Sequence, residues 1–154
     1  MDDKDAWLAK NNAELVEGWR EAWWIEARAQ VKSDREQRRL IDETDPVRYA
    51  VLHLVDHDPA RALEVGFLIA RSADHTGMLI NVGVCILQEL LKDDPTLWDA
   101  IALEATANPK LLKAVGQVWE IPVPEDLWDA YNDFEQGQRT NTPPPSDAAP
   151  PPQR

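Results

Sequence analysis

The hexapeptide "HLVDHD", residues 53–58, gathers the side chains best suited to chemistry in this 154-residue chain. His53 and His57 stand four apart, which puts both imidazoles on one face of a helix, and Asp56 and Asp58 lie beside them. Two imidazoles and a carboxylate can hold zinc or another divalent ion, with His75 available to complete the set. That reading makes the protein a metal-dependent hydrolase. Against it, no glutamate separates the histidines as in metalloprotease helices, and Asp58 precedes a proline in a capping position. Histidines exposed at a helix end account for the same pattern, so the expectation is no resident metal or cofactor.

Other reactive groups are sparse. Cys85 is the only cysteine, which excludes an internal disulfide and a multi-cysteine zinc cluster, and it reads as a small buried hydrophobe. The pairs Asp93/Asp94 and Glu125/Asp126 fall at expected helix beginnings, where carboxylates complement the helix dipole. There is no Gly-rich phosphate loop, Ser nucleophile elbow or Walker-type motif. The sequence therefore predicts a protein that is not an enzyme.

Seven tryptophans carry the stronger signal, three of them in "WREAWWIEA". Trp19 and Trp23 are four apart and share a helix face, so they are expected in the core. Trp24 lies about 100° further round, and Trp7 about 120° from Trp19, so either can project toward a partner. Trp98, Trp119 and Trp128 are expected in the core or in seams between helices.

Charge defines the partner class. The net charge is -12, and it is carried by the body of the chain, not by its C-terminal end. Such a surface repels phosphate backbones, which disfavours nucleic acid, and attracts a basic protein. Acidic groups beside exposed aromatics make an interface, so Trp24, Trp7, Asp56, Asp93 and Asp94 are the expected partner-binding residues. No run of about 18 apolar residues offers a membrane span, and "MDDKDAWLAK" has no secretory pattern. The expected location is the cytoplasm.

Helices must position these groups. The first forty residues contain no proline and only Gly18, which predicts one long helix or two meeting near "KNN" or Gly18. Leu8, Leu15, Trp19, Ala22, Trp23 and Ala27 form its apolar stripe. The polar run "KSDREQRR" follows as an exposed helix end or a loop. Asp45-Pro46, Asp58-Pro59, Asp94-Pro95 and Asn108-Pro109 each place a capping side chain before a proline, a helix-start signal. They predict helices over 46–56, 59–72, 95–107 and 109–118. The pairs also look duplicated: "DPVRYA" matches "DPTLWD", and "PARALEVG" matches "PKLLKAVG".

Between the pairs, "HTGMLINVGVCILQELLKDD" is apolar round most of a helix and belongs at the centre, with Gly83 admitting a close neighbour. A last helix starts near Pro124 with Leu127, Tyr131 and Phe134 on one face. The organisation expected is one helical domain over 1–135, comprising a Trp-rich N-terminal helix or helix pair (1–44) and a helical-repeat core (45–135). A Pro-rich tail over 136–154 is expected to be disordered or polyproline-like.

The block from "DPARALEVGFLIAR" through "ILQELLKDDPTLWDAIALEATANPKLLKAVGQVW" to "PEDLWDAY", with the Trp-rich start, resembles a family of bacterial helical domains without a known activity. Matching features are the Asp-Pro helix start, the Glu89-Leu90-Leu91 step and the closing Val118-Trp119. A Gly-Pro followed by Leu-Glu is usual in that family's central helix, where Cys85-Ile86-Leu87-Gln88 stands here. The resemblance implies a compact, HEAT-like fold. The fold class expected is all-α, a short right-handed helical array or HEAT-like α-solenoid of about six to seven helices. The function expected is an acidic interaction module for a basic protein, such as an immunity or inhibitor-type protein. A structural subunit of a homo-oligomer, a homodimer through the first helix for instance, is the other non-enzymatic reading.

Overall fold

A computed structural model describes residues 3–141. Among these residues the chain forms eight helices and no strand. In chain order they are α1 (Asp3–Leu8), α2 (Asn12–Ala29), α3 (Asp34–His57) and α4 (Pro59–Ser72). Then come α5 (76–93), α6 (Trp98–Ala107, entered through a 3-10 turn, Pro95–Leu97), α7 (Leu111–Val115) and α8 (Glu125–Asn141). No helix is long and apolar enough to cross a membrane among the described residues.

The N-terminal break falls at "KNN". Asn11 accepts from the Glu14 backbone N–H at 2.9 Å while Glu14 accepts from the Asn11 N–H at 3.1 Å, a reciprocal cap that starts α2. Arg61 of α4 closes the end of α1 by donating to the carbonyls of Leu8 (3.0 Å) and Lys10 (2.6 Å), and to Asn12 Oδ1 at 2.7 Å. Orphan carbonyls at a helix end need such donors. Gly18 breaks nothing: it lies inside α2 beneath the Trp7 ring, 2.3 Å from where a Cβ would stand.

The capping expectation holds at two of the four proline sites. Asp58 accepts from the Arg61 N–H at 3.2 Å and α4 spans the expected 59–72. Asp94 accepts from the Thr96 N–H at 3.1 Å and opens the turn into α6. At Asp45-Pro46 the expectation of a start fails, because Pro46 is interior to α3. The polar run before it is helical from Asp34 and is tied by Lys32–Glu36 and Arg39–Glu43 pairs one turn apart, each 3.9 Å. Thr44 then docks that stretch on α2 through Glu26, at 2.8 Å. Burial of Val47, Ala50, Val51, Leu54 and Val55 on the same helix, together with these contacts, offsets a proline's roughly 3 kcal/mol penalty. At Asn108-Pro109 the helix begins only at Leu111 and ends at Val115, and the Asn108 amide nitrogen is turned inward, without a hydrogen-bond partner.

Helix α5 is central, as expected. Met78, Val82, Ile86, Leu87, Leu90 and Leu91 are each at most 2% exposed. Each such side chain contributes about 1.5–3 kcal/mol by leaving water. The middle of α5, Val82–Leu87, is a π segment in which the Gln88 N–H reaches the Gly83 carbonyl. Across α4 and α6, Arg71 forks onto the nearly buried Glu104 with two 2.6 Å bonds, and that carboxylate holds the guanidinium above its ordinary pKa.

Two further expectations are corrected. The duplicated aromatics do not occupy equivalent places, since Tyr49 is 56% exposed and Trp98 only 7%. The last helix continues to Asn141, six residues into the stretch assigned to the tail, because "QGQRTN" adds no proline to stop it. The remaining tail residues, 142–154, lie outside the described residues.

Candidate functional site

The unbroken α3 builds a surface that a helix start at Pro46 would have divided. Asp42, Asp45, Tyr49, Leu52, His53 and Asp56 follow one another at steps of three, four and one, so they share one side of the helix. They line a cleft of about 570 Å³ with Pro46 and His57, and α1 closes it with Asp3 and Lys4. Four aspartates face one lysine. Tyr49 and Leu52, exposed at 56% and 40%, provide apolar contact between the charges. Arg48 turns away from the cleft to pair with Glu26 of α2 at 2.9 Å, which leaves Asp45 only its long 3.5 Å contact.

At one end of the cleft the His53 and His57 rings stack, 3.9 Å between centroids and 8° from parallel. His57 Nδ1 lies 3.0 Å from the His53 carbonyl oxygen, so this nitrogen carries the proton and donates. Stacked rings do not converge their nitrogens on a common point. No group of three His, Cys, Asp or Glu that could hold a metal ion occurs among the described residues. His75 is elsewhere: its Nδ1 accepts from the Gly77 N–H at 2.9 Å and caps α5.

The residues expected to bind a partner are not brought together. Asp56 lies in the cleft. Trp24 is half-buried, edge-on to Trp23 (5.0 Å) and to His75 (5.7 Å), and borders a different cleft beside Arg28 and Asp74. Trp7 covers Gly18 under the Lys10 ammonium, 3.9 Å from its ring. Asp93 ends α5, and Asp94 is occupied as a cap. Trp119 and Trp128, expected inside, are 75% and 45% exposed. The reason at Trp119 is local: buried Gln88 accepts from the Trp119 and Glu120 backbone N–H groups at 3.1 and 3.4 Å, which fixes the chain there and leaves the indole outward.

Cys85 is half-buried rather than fully buried. Desolvation pushes its thiol pKa up, with Glu89 adding to the rise and Arg48 opposing it. A raised pKa leaves less thiolate, so Cys85 in the folded chain should react with a disulfide reagent at pH 7.5 more slowly than in the urea-unfolded chain. The gap should narrow as pH rises. Equal rates at pH 7.5 would show that burial does not govern the thiol.

No family model, curated protein or solved structure matches this chain. The resemblance to a bacterial helical family is accordingly without a matching model, and what is established is an all-helical domain.

Proposed function

We propose that this protein is an acidic helical interaction module that docks a basic protein segment in the α1/α3 cleft. The observation that supports this most is the composition of the cleft: four aspartates and one lysine around an exposed tyrosine and leucine. Carboxylates steer a cationic partner and speed encounter, while apolar side chains slow its release. An inhibitor of the immunity type, covering a basic toxin or nuclease, is a concrete form of this activity, by analogy of charge. We also read the stacking as a short right-handed, HEAT-like array, because α2, α3, α4 and α5 each pack on their neighbour in sequence.

The test is affinity capture from the native host with the wild-type chain and with Asp42→Asn/Asp45→Asn/Asp56→Asn. Circular dichroism should show the variant folded, since none of the three carboxylates caps a helix. The expected result is a basic protein held by the wild type and weakened roughly tenfold or more in the variant. Its association rate should fall about tenfold as salt rises from low to physiological strength. A partner held equally by both chains, or a rate indifferent to salt, removes the cleft from the function.

A further inference from the structure

Between Met78 and Leu91 the central helix carries four polar side chains: Asn81, Cys85, Gln88 and Glu89. Two have structural employment. Gln88 holds the Trp119 and Glu120 backbone, and Glu89 pairs with Lys92 at 2.9 Å. Asn81 and Cys85 have none, for neither side chain meets a hydrogen-bond partner among the described residues. They are four residues apart, and both line a cavity of about 90 Å³ between α2, α3 and α5.

The cavity has a consistent chemistry. Trp19, Trp23 and Ile86 supply apolar walls. Glu26 and Arg48 stand at its edge as an ion pair 2.9 Å apart, and Thr44 donates to the same Glu26 oxygen at 2.8 Å. The pair therefore offers no net charge to a ligand. The helix wall is the π segment Val82–Leu87, a backbone form that costs stability and is found disproportionately at functional sites. Its opposite side is fixed by Gly83 against the Ala114 carbonyl. A free carboxamide presents an N–H donor and a carbonyl acceptor side by side, and its complement is another amide edge.

We propose that this cavity binds a small, planar, uncharged cyclic amide, seated against the Trp19 and Trp23 indoles and paired with the Asn81 side chain. A water fills roughly 10–15 Å³ of such a cavity, so the space suits a molecule of roughly six to nine non-hydrogen atoms. The inference does not depend on the acidic cleft, because its test involves no protein partner.

The experiment is an NMR titration of the full chain with 2-pyridone, and with N-methyl-2-pyridone, which keeps the ring and loses the donor. Expected are saturable shifts of the Asn81 side-chain amide and the Trp19 and Trp23 indole N–H signals, with a Kd on the order of 1–10 mM. The Trp119 indole should not move. The N-methyl compound, and 2-pyridone on Asn81→Leu, should each bind about tenfold more weakly, since a site built around hydrogen bonds rejects a ligand that cannot make them. Absence of saturable shifts at those three groups overturns the proposal. So does equal binding of the two pyridones to the wild type, a comparison that holds even if Asn81→Leu does not fold.

Discussion

Gly83→Ala is expected to unfold the domain, or to leave it at least about 3 kcal/mol less stable in a urea titration. A Cβ on residue 83 would stand 2.1 Å from the Ala114 carbonyl oxygen and 2.8 Å from Gln117 Cβ. Ala114 is fully buried and its carbonyl already accepts from the Gln117 N–H at 3.1 Å, so the backbone there has nowhere to retreat. Three other glycines grade the effect. At Gly116 the obstruction is the Tyr131 ring, 2.3 Å away, which belongs to a half-buried side chain able to swing outward. At Gly66 it is Ile86 Cγ2 at 3.2 Å, which must yield only slightly. At Gly137 nothing lies within 4 Å, and alanine should stabilise α8 by about 0.5–1 kcal/mol through helix propensity. The expected order of loss is 83, 116, 66, with 137 reversed. A Gly83→Ala chain with a wild-type midpoint would mean that α5 and α7 do not approach as closely as described.

The close approach at Gly83 was legible in the sequence, because a glycine in the apolar central helix gives up both helix propensity and side-chain burial, a loss that a closely packed neighbour offsets. The same kind of local reasoning found α4 to the residue and placed α5 at the centre. It failed where a local signal met a tertiary contact. Asp45-Pro46 carries the same two residue types as Asp58-Pro59, yet only the second starts a helix. The difference is supplied by Glu26, on another helix, which anchors both Thr44 and Arg48 around the proline. Residues 45 and 46 alone do not contain that information.

The same signal at Pro46 conceals the candidate site. A helix start there separates Asp42 and Asp45 from Tyr49, His53 and Asp56, so spacing alone does not put them on one face. Once α3 is continuous the stripe is plain from spacing, and only the contribution of α1 requires coordinates. Asn81 is the opposite case. Its type and place were visible, but that it lacks a partner is a property of packing, which no periodicity reveals.

Tryptophan exposure gives the second large effect. Trp19→Ala is expected to cost about 3–5 kcal/mol, since its side chain is 7% exposed within the core. A loss of that size consumes much of the roughly 5–15 kcal/mol that holds a domain together. Trp24→Ala should cost about 1–2 kcal/mol, because it is half-buried and gives up two edge-on ring contacts. Trp119→Ala should lie within about 0.5 kcal/mol of wild type, for its indole is 75% exposed while its backbone stays held by Gln88. Three identical substitutions would then span the full range from core to surface, and composition alone cannot order them. Chemical denaturation of the three variants measures the ranking directly. Should Trp119→Ala prove as damaging as Trp19→Ala, the segment joining α7 to α8 must pack its indole inward, and the outward aromatic surface at that end of the molecule does not exist.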